Sequence, residues 1–268
     1  MSVIWLRTAA AFYSCGLLYA LIYLFRKTNR LFLPALITFG IGSVFQLVAL
    51  VERWAITGHL PLDNFYETSS TCALLIAALF LLAYAYYRIS SFGICIFPLV
   101  FFMTLIGVTE FPVAPWSMAV RNVWLVIHIS TVLIGYAALI FSAVASIYYL
   151  LQERQLKRKN VAPSANRLPP LATLDRIITQ SMNTGFVFIT LATVSGVIWA
   201  FNERGAEWIA NPKIAFFLFT WAFYLAMIFL RISAGWRGRR MAWLAVSVLG
   251  CSLITWATHM TLRGLWPQ

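Results

Sequence analysis

The chain contains eight apolar runs that are each long enough to cross a lipid bilayer, and this restricts its fold more than any other feature. They lie at about 3–25, 32–56, 69–87, 92–109, 123–151, 183–201, 214–231 and 241–262. A helix needs about 20 mostly apolar residues to span the hydrocarbon core. Hydrophobic residues make up 62% of the chain and charged residues only 10%, unlike a soluble domain. The sequence therefore predicts an all-α polytopic membrane protein, a bundle of eight transmembrane helices forming one integral membrane domain over 1–268.

Basic residues are concentrated in alternate connections between these runs. Four connections hold 14 of the 20 Lys and Arg residues and only two of the eight acids: 26–31, 88–91, 152–182 and 231–240. The positive-inside rule places these connections in the cytoplasm, so both termini are predicted to face outward. The net charge of +12 is then a topology signal of a bacterial inner (plasma) membrane protein, with lipid as a partner and no nucleic acid.

The longest connection, 152–182, is predicted to be a basic cytoplasmic loop. It begins with QERQLKRKN and ends with the proline-containing stretch LPPLATLDRIITQ. That second stretch has helical periodicity, and Thr173 or Asp175 would be a suitable N-cap. We therefore expect a short surface helix that leads into the sixth span.

All three histidines, His59, His128 and His259, fall at the predicted outer side, near the ends of apolar runs. Imidazole in or near a bilayer is costly and usually has a partner or a ligand. His128 and His259 lie at similar depths, and two histidines from different helices suit a six-coordinate haem iron. The alternative is two unrelated histidines, each hydrogen-bonded to a backbone carbonyl or a Ser or Thr side chain.

Aromatic and basic residues near the same ends suit a flat ligand with an acidic edge. Trp124 shares a helical face with His128, and the outer stretch GVIWAFNERGAEWIANPK contains Trp199 and Trp208. Indole rings stack on a flat ligand, and basic side chains pair with its carboxylates. The candidate partners for such carboxylates are Arg53, Arg121, Arg204 and Lys213. The alternative for the tryptophans is the aromatic belt of a membrane interface.

Catalytic motifs are absent from the sequence. It contains no P-loop, no HExxH and no GxSxG, so it indicates no hydrolytic or group-transfer catalysis. A small-molecule transporter is a weaker interpretation, because there is no obvious inverted repeat and few charges lie inside the apolar runs.

Five stretches in order, over about residues 50–265, resemble the cytochrome c assembly family of haem-handling membrane proteins. This family includes the CcsA-type subunit of cytochrome c synthase and the HemX-like proteins. The stretches are ERWAITGHLPLDNFYE, VWLVIHISTVLIGYAAL, RLPPLATLDRIITQ, SGVIWAFNERGAEWIANPKIAFFLFTW and RISAGWRGRR. The resemblance implies an eight-helix bundle that holds non-covalent, b-type haem at the outer face, between two histidines and beside a tryptophan-rich loop.

The resemblance assigns the histidines to family positions. His128 matches the first outer histidine, and His259 lies near the second, although the usual Gly-Leu-His-Ser-Tyr-Gly surroundings are absent. His59 matches the histidine of a Gly-His-(aromatic)-Pro turn that is implicated in holding haem within the membrane. His128 and His259 are therefore the expected ligands of the haem iron.

The chain also departs from the family pattern. The tryptophan-rich stretch is thinned to Trp208, with Asn211 where the family has Asp, and Phe229 stands where the family has a membrane histidine before Thr-Arg. A membrane haem site with two histidine ligands therefore cannot form here in the family manner. The thinned motif is closer to HemX-like members than to a complete synthase subunit.

Two functional hypotheses follow. The first is a haem-binding protein of cytochrome c biogenesis, with no catalytic activity alone and at most a subunit of a haem-lyase system. Its partners would be a large outer-domain biogenesis subunit and apocytochrome c. The second is a HemX-like regulatory or scaffold protein of haem metabolism that acts on a cytoplasmic haem-pathway enzyme through 152–182, without needing bound haem.

Overall fold

The computed structural model describes residues 2–26, 30–62, 64–109, 122–157, 169–205 and 212–261. Within these ranges the chain forms eight α-helices, one short 3-10 helix at Ser90–Phe92 and no strand. The α-helices are α1 (Ser2–Arg26), α2 (Phe32–Thr57), α3 (Phe65–Tyr87), α4 (Gly93–Val108), α5 (Val123–Lys157), α6 (Leu171–Arg204), α7 (Pro212–Ser233) and α8 (Arg239–Thr261). Each predicted apolar run therefore corresponds to one α-helix.

Six helices in the described part of the chain, α1 to α6, are long and apolar enough to cross a membrane. A shorter apolar stretch, Phe217–Ser233, belongs to α7. Many large apolar side chains are exposed along these helices, as the lipid-facing surface of a membrane protein requires. The prediction of a multi-pass, all-helical membrane protein is confirmed, while the count of eight spans and the orientation stay predictions.

Helix α6 differs from its predicted form. A short surface helix was expected before the sixth span, but one 34-residue helix begins at Leu171, directly after Pro170. No side chain caps its first turn, so the prediction of Thr173 or Asp175 as the cap is wrong. The helix is continuous because Leu174, Ile177 and Ile178 are fully buried on one face and extend the apolar stripe of the span.

The segment 152–182 is partly helical at both ends. Helix α5 continues to Lys157 and α6 begins at Leu171, so only the residues between them connect the two helices.

Helix α3 also begins earlier than predicted, at Phe65, because the Asn64 side chain accepts a hydrogen bond from the Glu67 backbone N–H at 2.8 Å. An Asn cap of this kind stabilises a helix start.

The chain divides into two compact units, Met1–Ala137 and Ala138–Gln268, and α5 contributes to both. The core of the first unit is an aromatic cluster of Tyr13, Phe39, Phe80 and Phe97. The Phe39 ring centroid lies 4.5 Å from that of Phe97 and 4.9 Å from that of Tyr13, and Phe80 packs edge-on against both phenylalanines. Such tilted and edge-on pairs suit the charge distribution of aromatic rings.

A buried polar network crosses the same unit. Gln46 of α2 is fully buried; its Oε1 accepts from the Tyr13 hydroxyl at 2.7 Å. Its Nε2 lies 3.0 Å from the Ser70 carbonyl oxygen and 3.2 Å from Thr104 Oγ1. These contacts join α2 to α1, α3 and α4. Because lipid offers no alternative partners, the network fixes the register of the four helices.

Gly42 allows α1 and α2 to approach closely. A Cβ at this position would lie 2.9 Å from Tyr13 Cε1 and 3.3 Å from the Ala9 carbonyl oxygen.

We expect Gly42→Ala to lower the free energy of unfolding by about 1–2 kcal/mol through overpacking. Thermal unfolding in detergent micelles would measure this. Gly40→Ala is the matched control in the same helix, since nothing lies within 4 Å of its Cβ position; equal stabilities for the two variants would contradict the prediction.

The second unit has its own packing contacts. The Tyr224 hydroxyl of α7 donates to the Met182 carbonyl of α6 at 2.6 Å, and its ring packs edge-on against Phe186. One turn nearer the start of α7, the Trp221 ring N–H donates to Thr190 Oγ1 at 3.2 Å. These contacts join α6 to α7 inside the apolar region.

Candidate functional site

His59 lies in the turn between α2 and α3, where the backbone is fixed by several hydrogen bonds. Gly58 ends α2 with φ of 75°, a left-handed conformation that favours glycine. Thr57 Oγ1 donates to the His59 carbonyl at 3.1 Å, and the Leu62 N–H donates to the Leu60 carbonyl at 2.8 Å. The turn is therefore preorganised and holds the half-buried His59 side chain in a defined position.

The backbone carbonyl of the next residue orients the His59 ring. Its Nδ1 lies 3.0 Å from the Leu60 carbonyl oxygen. Because a carbonyl oxygen only accepts, this contact requires a proton on Nδ1, and the lone pair of the neutral ring is then on Nε2. Histidines that bind metals are commonly oriented by a hydrogen bond of this kind from the second ring nitrogen.

An ion pair connects the two helices that flank the His59 turn. Arg53 Nε and Nη2 each lie 2.7 Å from Glu67 Oε1, and the Glu67 side chain is nearly buried. Glu67 is therefore paired with a cation, and Asp63 lies outside the described residues. Arg53 was also a candidate partner for haem propionates, but here its charge is already matched by Glu67.

A small cavity lies beside this ion pair. Its volume is about 30 Å³, and its polar lining comes from Arg53, Tyr66, Glu67 and Ser70. A cavity of about 10–15 Å³ is enough for one water molecule, whereas pockets for small organic ligands are roughly 300–1,000 Å³. The cavity therefore fits water and not a porphyrin.

His128 and Trp124 lie near the start of α5, within the first unit. Asn122 Oδ1 accepts from the Trp124 backbone N–H at 3.0 Å and so caps the helix. The Thr131 hydroxyl donates to the His128 carbonyl at 3.0 Å, one turn further along. The His128 side chain is half-buried and Trp124 is exposed, while Arg121 lies outside the described residues.

Trp199 lies near the end of α6, in the second unit. Its ring N–H is buried, and it has no hydrogen-bond acceptor among the residues that the structure describes. A buried indole N–H ordinarily has an acceptor, so this position would suit an oxygen of a ligand or of water. Trp208 lies outside the described residues, as do the side chains of Arg204, Lys213 and His259, although the last three belong to α6, α7 and α8.

Comparison with known proteins identifies the chain. The family described as "Cytochrome C assembly protein" matches it over residues 9–260. The chain belongs to this family. The match begins in α1, so it extends beyond the five stretches that carried the resemblance in the sequence.

Individual relatives agree with the family match. A "Cytochrome c biogenesis protein CcsA" of Prochlorococcus marinus subsp. pastoris is 31% identical over 85% of this chain and 80% of its own length. Proteins of the same name from Guillardia theta and Chlamydomonas reinhardtii are 26% and 27% identical, over 90% and 84% of this chain and over 86% and 64% of their own lengths. The family match and the long apolar helices support a multi-pass membrane protein. Its location in a bacterial plasma membrane stays a prediction.

The sequence did not predict a polar cluster in the second unit. Asp175 of α6 accepts from Arg231 of α7, with 3.1 Å between Oδ2 and Nη2, and from the Gly238 backbone N–H at 3.1 Å. Arg231 also contacts the Thr179 hydroxyl. A signal was present, because an acid and a hydroxyl four residues apart lie on one helix face. The sequence did not show that Arg231, 56 residues later, contacts that face.

Proposed function

We propose that this protein is a haem-handling subunit of cytochrome c biogenesis in the bacterial plasma membrane. It would hold non-covalent, b-type haem at the outer face, with His128 and His259 as the ligands of the iron. The observation that carries this proposal is the similarity to proteins named "Cytochrome c biogenesis protein CcsA" over most of both chains. His128 matches the family's first outer histidine, and His259 lies near the second.

Residues of this chain fit such a ligand. The flat faces of the indole rings of Trp124, Trp199 and Trp208 would stack against the porphyrin. The buried Trp199 N–H would donate to an oxygen at the edge of the porphyrin. Arg121, Arg204 and Lys213 would pair with the propionates. The imidazoles of His128 and His259 would hold the haem iron and protect it from other ligands. His59, whose ring is held by its contact with Leu60, would be a further contact for haem without binding the iron.

The role of the protein would be binding and positioning. No acid–base residue is required, so the protein would have no catalytic activity alone and would at most be a subunit of a haem-lyase system. A large outer-domain biogenesis subunit and apocytochrome c would be its partners, since it must pass haem to an acceptor.

A second candidate is a HemX-like regulatory protein that acts on a cytoplasmic haem-pathway enzyme through residues 152–182. The observation that favours it is Phe229, which stands where the family has a membrane histidine. Phe229 is 63% exposed and has no atom that binds a metal. The family's second membrane ligand is therefore missing, and a protein without that site is less suited to carrying haem across the bilayer.

The two candidates are separated by the visible spectrum of the detergent-purified protein, oxidised and reduced, with haem quantified in a pyridine extract. The proposal expects about one low-spin haem per chain with sharp bands on reduction, as two histidine ligands produce. A colourless protein that also fails to take up added haemin would overturn it in favour of the regulatory candidate.

A further inference from the structure

Two arginines at one end of the second unit have no acidic partner among the described residues. Asp175 pairs with Arg231, and Glu153 pairs with Lys157 at 2.7 Å and lies 3.9 Å from Arg239. Both nearby acids are therefore already used. Arg237 and Arg240 are exposed, and their positive charge is available to a ligand from outside the chain.

The turn that carries these arginines, residues 234–238 between α7 and α8, is held in one conformation. Asp175 Oδ1 accepts from the Gly238 N–H at 3.1 Å, and Arg231 Nη1 lies 3.4 Å from the Trp236 carbonyl oxygen. Gly235 and Gly238 have φ of 62° and 66°, which glycine adopts without strain. Because the backbone is fixed before any ligand arrives, less conformational entropy is lost on binding.

The surroundings of the arginines are apolar. The Arg240 guanidinium lies over the Trp236 ring, 5.4 Å from its centroid. Trp243, three residues after Arg240 and so on the same face of α8, is 47% exposed. A ligand here would meet positive charge at the turn and an exposed indole one helical turn into the apolar span. An anionic phospholipid has both properties, with a phosphate at its head and acyl chains below it.

We propose that Arg237, Arg240 and Trp236 form a binding site for the headgroup phosphate of an anionic phospholipid, whose acyl chain lies against Trp243. The site is independent of haem and of His128 and His259. An acidic protein would satisfy the arginines but would not reach Trp243 within the span. A soluble phosphate would likewise leave that indole without a partner.

Native mass spectrometry of the purified protein, titrated with phosphatidylglycerol or with phosphatidylcholine of the same acyl chains, tests the proposal. We expect phosphatidylglycerol to bind more tightly. The double variant Arg237→Gln/Arg240→Gln should weaken its binding roughly 10- to 30-fold, given the typical effect of each basic residue near an anionic lipid. Trp243→Ala should also weaken the binding of phosphatidylglycerol, whereas Trp243→Phe should retain it.

Arg88→Gln is the matched control. Arg88 also lies over an aromatic ring, that of Tyr84 at 5.8 Å, but it is the only basic residue in its connection; its substitution should leave lipid binding unchanged. Equal binding of the two lipids, or unchanged binding by the double variant, would overturn the proposal. Glycerol phosphate that binds as tightly as phosphatidylglycerol would also overturn it. An acidic protein whose co-purification depends on Arg237 and Arg240, without any preference for phosphatidylglycerol, would do the same.

Discussion

Replacing His128 with Ala is expected to leave the haem iron of the purified protein five-coordinate or to empty the site, and His259→Ala is expected to do the same. Each substitution removes one imidazole nitrogen, and the methyl group of Ala cannot replace it. A low-spin iron needs two strong axial ligands, so its sharp reduced bands should give way to a high-spin spectrum. Absorption spectra of both variants, with haem quantified in pyridine, measure the change.

His59→Ala provides the comparison for these variants. His59 is oriented by its contact with Leu60 and lies outside the proposed outer pair, so its loss should change the spectrum little. Imidazole added to the His128→Ala protein should restore the low-spin bands if the empty position is the only defect. Two histidine variants that both keep the wild-type spectrum would rule out His128 and His259 as the ligands.

Asp175→Asn should destabilise the second unit by about 2–3 kcal/mol. The Arg231 and Asp175 side chains are only 12% and 23% exposed, so the variant would leave a largely buried guanidinium without a counter-charge. Removing one partner of a fully buried pair costs about 3–5 kcal/mol, and the remaining exposure reduces that figure. Because Asn still accepts from the Gly238 N–H, the loss should reflect the charge and not the turn.

Thermal unfolding in detergent micelles measures this loss, and Glu153→Gln is its control. Glu153 pairs with Lys157, whose side chain is 63% exposed. Exposed pairs contribute about 0–1 kcal/mol, so the control should remain close to the wild type. Similar melting temperatures for Asp175→Asn and Glu153→Gln would show that the Asp175–Arg231 pair does not stabilise the unit.

The sequence predicted the helices well because apolar run length is a direct physical requirement of the bilayer. It failed at the start of α6, where Leu174, Ile177 and Ile178 are buried against neighbours that a pattern of spacing does not reveal. The preceding basic and proline-containing residues suggested a separate surface element. Packing on the rest of the unit, and not local propensity, makes this segment part of one long helix.

The candidate site residues were chosen from the sequence by residue type, because the sequence does not show which side chains contact one another. The histidines could be chosen because imidazole is rare near a bilayer, and their role as haem ligands stays a prediction. Arg53, however, was equally suitable on sequence grounds as a ligand partner or as an ion-pair partner. Its pairing with Glu67 across the turn depends on how α2 and α3 are arranged, which the local sequence does not encode.

Gln46 also implies an order of assembly. When α2 enters the bilayer, its buried amide would face hydrocarbon, and an unsatisfied amide there costs several kcal/mol. One partner, Tyr13, is already synthesised, but Ser70 follows 24 residues later and Thr104 58 residues later. Helix α2 therefore reaches its final position only when α3 and α4 have left the ribosome. The first four helices are therefore expected to complete their packing as a group.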